Sequence, residues 1–410
     1  MVDDFADTLH GDARFERSLF AIPLALALFG TSPTLHAAEA APGAAAPAWQ
    51  WDGIYKADLL HSRTVDSGVG NLGLRVNADA GALFGWDDTT LHGELLWNHG
   101  GKPNRRIGTT QGISNLEVAE NAARLYATWI EHEFKSTETS LLFGLYDLNS
   151  EFYATDASGL LIHPSFGIGI DFSQSGRNGP SIFPNLGLAL RAKQQLGSDY
   201  YLQGAVIDGV PGDPDHPGRT TIRLSKDDGA LLVTELGWQE RAEDGSPKSG
   251  HWGIGAWHYT ARTDRLDGSG SERNQGIYAL AQQVLIDADT ARTTGFVRAG
   301  LANRRVNAVE MAFDAGVLVD KPFGASGPSA LTAGVAYARY SGAHRQAQAD
   351  AGLATSSHET ALEIGMRWQP IASLALQPLL QHVWNVGGRV GVRETLVGLR
   401  IEWTFGQTKP

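Results

Sequence analysis

The sequence predicts an all-β fold, a transmembrane antiparallel β-barrel of about 16 strands with one connection folded inward. Three observations lead there. From Trp49 onward, segments of about ten residues alternate apolar and polar side chains, and turns rich in Gly, Asp, Asn and Ser divide them. After residue 50 no stretch approaches the run of about 18 apolar residues that a spanning helix needs. At residues 19–30 the apolar run LFAIPLALALFG follows Arg14 and Arg17 and precedes the small residues Ala37, Ala38 and Ala40, the pattern of a cleaved export signal.

Composition narrows the class. The 410 residues hold 33 Lys plus Arg against 45 Asp plus Glu, a net charge of -12, which argues against a nucleic-acid binder with its basic stripe. Forty-nine Gly and 11 Trp suit the turns and interfacial girdles of a membrane barrel. The absence of Cys excludes disulfides, thiolate metal sites and Cys nucleophiles.

Taken in order, residues 1–38 read as a signal peptide, 39–48 as a flexible linker, 49–405 as one barrel domain and 406–410 as a tail. Strands are expected to start near residues 51, 70, 89, 123, 139, 186, 199, 230, 251, 274, 294, 309, 329, 358, 372 and 394. In NLGLRVNADAGALFG, Leu72, Leu74, Val76, Ala78, Ala80 and Ala82 share one face. In HETALEIGMRWQP, Leu362, Ile364, Met366 and Trp368 oppose Glu363 and Arg367, so the first four should meet lipid and the charged pair water. In TLVGLRIEWTF, Val397, Leu399, Ile401, Trp403 and Phe405 oppose Arg400 and Glu402. Some connections are short, as at Ser198 and Asp199, and others long, as at 98–121 and 209–228. The longest, residues 147–185, carries SGLLIHPSFGIGIDFSQSGRNGP. Its apolar residues would not sit freely in water, and a connection of about forty residues needs a function. It is expected to fold into the lumen.

ARLYATWIEHEF, FGLYDLNSEFYATDASGLLIHPSFG, IFPNLGLALRAK and YLQGAVIDGVPGDP, in that order, resemble the core motifs of the OprB family of carbohydrate-selective porins. ETALEIGMRWQP, LALQPLLQHVWNVGG and TLVGLRIEWTF resemble its closing strands. The resemblance implies a sixteen-stranded outer-membrane barrel that passes small sugars by facilitated diffusion, with no cofactor and no energy input. Two departures stand out: WQWDGIYKADLL replaces the family's GDWGG-type opening, and GQTKP follows Phe405.

Sugar selectivity needs groups that pair with hydroxyls and rings that pack on a pyranose. The inward connection offers Asp147, Asn149, Glu151, Phe152, Asp156, His163, Asp171, Phe172 and Arg177 as constriction residues. On the polar faces of strands, Arg75, Arg124, Arg191, Arg298, Arg367 and Arg400, with Glu363, are expected to line the pore, because charge at mid-depth on a lipid face costs about 2–4 kcal/mol. Such an arginine ladder opposite an acidic loop would set up a transverse field. The bland alternative is that Asp147, Asn149 and Glu151 only tie the loop to the wall, and that the arginines only solvate it. Asp213, Asp215 and His216 lie close in DGVPGDPDHPG, but Pro and Gly dominate and a surface turn is the simpler reading than a metal site. NHGGKP lacks the spacing of a phosphate loop. No GxSxG or HExxH occurs. Alternatives left open are a general diffusion porin and an exporter subunit for an exopolysaccharide. Expected partners are small sugars, outer-membrane lipid and the outer-membrane assembly machinery, with monomer and trimer both open.

Overall fold

The computed structural model describes residues 47–241, 247–288, 291–322 and 329–406, so the expected signal peptide, most of the linker and the last tail residues lie outside the described residues. The strands are β1 (Trp49–His61), β2 (Asp66–Asp79), β3 (Thr89–Gly100), β4 (Ala123–Phe134), β5 (Thr139–Tyr146), β6 (Gly187–Leu196), β7 (Tyr200–Asp208) and β8 (Ala230–Arg241). They continue as β9 (Pro247–Asp264), β10 (Ser271–Ala288), β11 (Ala291–Ala302), β12 (Val309–Asp320), β13 (Ser329–Tyr340), β14 (His358–Ile371), β15 (Leu374–Trp384) and β16 (Arg393–Gly406). Short helices are α1 (Ala80–Phe84), α2 (Pro103–Ile107), α3 (Ile170–Ser173) and α4 (Gly342–Asp350). Among the described residues, no helix is long and apolar enough to cross a membrane.

All 16 strands form one closed antiparallel barrel in which each pairs with its sequence neighbours and β1 pairs with β16. Closure runs from Asp52 opposite Gly406 to His61 opposite Val397, and leaves no strand edge unpaired. The strand starts follow the alternation closely. β2, β9, β10 and β11 begin a few residues earlier than expected, because their polar ends keep pairing where no apolar face marks them. Gly406, expected in the tail, is the last residue of β16.

One local expectation fails. Ala80 and Ala82 do not continue the face of β2, because the strand ends at Asp79. The Asp79 carboxylate accepts from the Gly81 and Ala82 N–H groups (2.8 and 3.2 Å) and caps α1. Gly85, at φ 75°, closes the turn in the left-handed region that favours glycine.

Connections alternate between the two ends. At one end lie the short turns 135–138, 197–199 and 372–373. At the other lie the long segments 101–122, 147–186, 209–229 and 341–357. Outward residues such as Leu59, Leu95, Phe143, Leu190, Ile254 and Ile277 are exposed and form the apolar outer face. On β14, Ile364 (47 % exposed) and Trp368 (52 %) point outward, while Glu359, Ala361 and Glu363 are buried inside.

The inside is not uniformly polar. On β7 to β10, Ala205, Ile207, Leu231, Val233, Trp257, Tyr259, Tyr278 and Leu280 form an apolar wall. Segment 147–186 packs Phe152, Tyr153, Ile168 and Phe172 against it. Phe172 stacks on Trp257 with ring centroids 4.8 Å apart, and Tyr153 on Tyr278 at 4.2 Å. A lumen that held only water would lose these residues to the hydrophobic effect. Here they form a core.

Candidate functional site

Two connections fold inward, 101–122 and 147–186, and inner-face side chains of the strands hold them. Arg298 on β11 is fully buried. Its guanidinium donates to the carbonyls of Ser165 (2.6 Å), Gly167 (2.7 Å) and Tyr153 (3.2 Å), and it pairs with Asp314 on β12 (3.3 Å). Glu363 on β14 accepts the N–H groups of Ile162 and His163, both at 2.8 Å. Glu235 on β8 accepts from the Tyr153 N–H (3.1 Å) and from the Tyr201 and Tyr278 hydroxyls (2.8 Å each). The shorter segment is held similarly. Glu359 accepts from the Thr110 and Gln111 N–H groups (3.0 and 2.8 Å). Arg400 pairs with Asp58 (2.7 Å) and donates to Asn115 (2.6 Å). The segments also bond to each other: the Asn115 N–H donates to the Ile162 carbonyl (2.9 Å), and Gln174 to the Thr110 carbonyl (2.6 Å).

Between them lies a cleft of about 410 Å³, lined by Asn104, Asn115, Glu117, Asp147, Asn149 and Phe183 among others. It offers amides, carboxylates and one aromatic ring, the donors, acceptors and stacking face that a pyranose uses. Asp147 is held by the Tyr126 hydroxyl (2.5 Å) and the Asn149 N–H (3.0 Å). Burial pushes its carboxyl above the usual range, and these two bonds partly offset that. Asn149 donates to the Gly167 carbonyl (3.0 Å). Glu117 is pushed up by burial, against the Asn104 and Arg105 N–H groups that it accepts.

The structure places the expected site residues in different surroundings. Asp147 and Asn149 line the cleft. Glu151 is half-buried against Arg191 (2.8 Å) and Lys193 (3.5 Å). Burial raises its pKa, but Arg191, Lys193 and the Tyr146 hydroxyl together more than offset this and leave it below the usual range. Asp156 and Arg177 are exposed, with Arg177 3.4 Å from Asp228. Phe152, His163, Asp171 and Phe172 correct the expectation. They have almost no exposed surface and are packed inside the loop, because its apolar residues must find a core. Burial pushes the His163 imidazole down to about 3. Burial, with the Asp314 carboxylate nearby, pushes Asp171 up to about 7.

The arginines are also corrected. Arg298, Arg400, Arg191 and Arg124 are buried, and so is Glu363. Arg191 is bound to Glu131 and Glu151, both at 2.8 Å. Arg124 donates to Asn185, to the Pro217 carbonyl and to the Glu120 carbonyl. Arg75 and Arg367 keep part of their surface in the lumen, and each has a carboxylate: Arg75 pairs with Asp52, and Arg367 with Glu402 at 2.7 Å. The expected ladder of free cations is therefore absent among these six. The inner face carries mixed charge, since each arginine beside a closed sheet needs a partner.

Sequence reasoning left out Asp52, Lys56 and Glu94, which share the polar parity of their strands. Lys56 lies 3.6 Å from Glu402. Arg75 stands directly opposite both Asp52 and Glu94 in the sheet. The signal was available: in WQWDGIYKADLL, Asp52 and Lys56 lie an even number of residues apart, on one face. Asn104, Asn115 and Glu117 had no comparable signal, because nothing local marks 101–122 as folding inward. Among the described residues, no three His, Asp or Glu side chains converge as metal ligands. Asp213 organises its turn, pairing with His216 Nδ1 (3.0 Å) and accepting the Asp215 N–H (3.1 Å).

Solved structures of similar shape include the high-pH structure of Pseudomonas putida OprB, at 17 % identity and TM-score 0.73, covering 87 % of this chain and 94 % of that one. The low-pH structure of the same protein matches at 14 % identity and TM-score 0.53, covering 87 % and 92 %. The outer membrane channel DcaP of Acinetobacter baumannii matches at 13 % identity and TM-score 0.50, covering 87 % and 96 %. At these identities the likeness concerns the fold. No curated protein matches the chain. A family model described as carbohydrate-selective porin, OprB family, matches residues 67–405. With a closed sixteen-stranded barrel and a polar cleft between two inward segments, this chain belongs to the OprB family of carbohydrate-selective porins.

Proposed function

We propose that the chain passes small neutral sugars, mono- or short oligosaccharides, by diffusion through the part of the lumen that the inward segments leave open. The observation that carries this reading is the pairing of the lumen charges. Asp52 with Arg75, and Lys56 and Arg367 with Glu402, put both signs side by side along the open wall. Paired charges grip hydroxyls from both sides and give a passing ion little net field. Asp147, Asn149, Asn104, Asn115 and Glu117 would make the polar contacts, and Phe183 the stacking one. The apolar run at 19–30 would direct export, and the strands would insert through the outer-membrane assembly machinery.

Planar-bilayer recording tests the reading. Purified protein should form pores whose current falls in steps as glucose, maltose or longer oligosaccharides are added. Pores that no sugar alters would leave only a general diffusion porin. Absence of pores would end the porin reading for this chain.

A further inference from the structure

The outer wall carries a groove that the pore does not use. On the lipid-facing side of β8 to β12, a depression of about 720 Å³ runs between Leu236, Ile254, Ile277 and Leu301. Its floor is made of alanines. Ala279 stands opposite Ala299 across β10 and β11, and Ala256 opposite Ile277 across β9 and β10. Bulky neighbours, Ile254 (54 % exposed) and Ile277 (58 %), form its sides. The lining is almost wholly apolar.

Toward the end with the long connections, the groove does not close. Ala256, Ile277 and Leu301 also line a second depression, of about 690 Å³, where polar residues join Trp257, Gly276 and Ala302. One step up the strands, His258 stands opposite Gln275 and bonds to it (3.1 Å). The Asn303 N–H donates to the Gln275 carbonyl (2.9 Å). Above them are Arg304 and Arg305, both exposed. Arg305 shares Glu272 with Arg265, and Asp267 lies close enough to act on both arginines, so this pair of cations is balanced and the surplus charge is that of Arg304. Arg304 has no hydrogen-bond or ion-pair partner among the described residues. The result is a continuous surface with an apolar channel at membrane depth and an excess of guanidinium at its mouth.

We propose that this groove binds a phosphorylated, acylated lipid of the outer leaflet, with a chain along the alanine floor and a phosphate at Arg304 and Arg305. Short turns face the periplasm and long connections the exterior in bacterial barrels, which puts the basic mouth at the outer head-group level. Guanidinium is suited to phosphate, and basic residues beside a bilayer hold anionic head groups. A second copy of the chain would meet the groove with an equally apolar face and would leave the Arg304 charge without a counterpart. A free phosphate would have no use for the apolar channel. The inference rests on the barrel's place in the outer membrane and not on its sugar selectivity.

Native mass spectrometry of the full chain in detergent tests it, with diphosphoryl lipid A, its dephosphorylated form and inorganic phosphate as probes. The wild type should retain one diphosphoryl lipid. The double variant Arg304→Glu with Arg305→Glu should bind it about tenfold more weakly or worse. Ala279→Trp, which fills the channel and leaves the mouth intact, should do the same. Both variants should keep wild-type conductance and sugar block, which reports correct folding. Unchanged lipid binding in both variants would overturn the proposal. So would equal retention of the dephosphorylated lipid, or phosphate displacing the lipid at millimolar concentration. Sedimentation that finds a dimer, dissolved by Ala279→Trp, would assign the groove to a second copy instead.

Discussion

Arg298 shows how a charge on the inner face of a barrel becomes a structural bolt. Its guanidinium satisfies three loop carbonyls and one buried carboxylate, and none of it meets water. Removing one partner of a buried pair strands the other, at about 3–5 kcal/mol. Arg298→Met should therefore lower thermal stability, read from the shift in heat-modified gel mobility, and raise single-channel conductance as segment 147–186 loosens. Titration adds a second test within the same segment. His163 sits at about 3, against an ordinary value of about 6.5. Between these values a released loop binds a proton that the seated loop refuses, so this contribution to anchoring is lost as pH falls. Asp171, pushed up to about 7, works the other way: its contribution is complete below about 4 and is lost as pH rises through 7. In Asp171→Asn, the amide protection factors of the loop, corrected for the intrinsic pH dependence of exchange, should fall on acidification below about 6.5. In His163→Phe the protection factors should fall on raising the pH from about 4 to 7. Flat profiles in both variants would remove the two groups from loop anchoring.

At the scale of elements, the inward segment and the wall behind it make one unit. Phe172 on Trp257 and Tyr153 on Tyr278 replace the water that a polar inner face would hold. Trp257→Ala would leave a void behind Phe172, costing about 3–5 kcal/mol by the usual cost of deleting a large buried side chain. Noisier single-channel current and faster proteolysis within 147–186 should follow, with the barrel itself still resistant. The strands were legible in the sequence because a period of two survives wherever lipid covers one side. SGLLIHPSFGIGIDF was legible as an inward loop because its apolar residues had nowhere else to go. Segment 101–122 was not, since its apolar residues are sparse and its anchors, Glu359, Asp58 and Arg400, lie far away in sequence. The ends of strands were the other weak point. At Asp79 the alternation runs on through Ala80 and Ala82, while the backbone turns into a capped helix.

For the whole molecule, the net charge of -12 does not describe the pore, whose open wall pairs its charges. Arg367→Glu breaks that balance beside Glu402 and should shift ion selectivity toward cations. An unchanged reversal potential would mean that Arg367 does not face the ion path. The sequence by itself determined the barrel class, about 16 strands, the lipid-facing side of strands that alternate as clearly as β14, and the loop that enters the lumen. These follow from local periodicity and from solvent: lipid on one side, water or packed protein on the other, read residue by residue. Only the tertiary structure decided which polar inner residues meet water. Glu363 and Arg367 share a face four residues apart, yet Glu363 is sealed under the Ile162 and His163 N–H groups while Arg367 keeps surface in the lumen. The distinction depends on where a distant loop comes to rest, and the pattern of one strand carries no record of that.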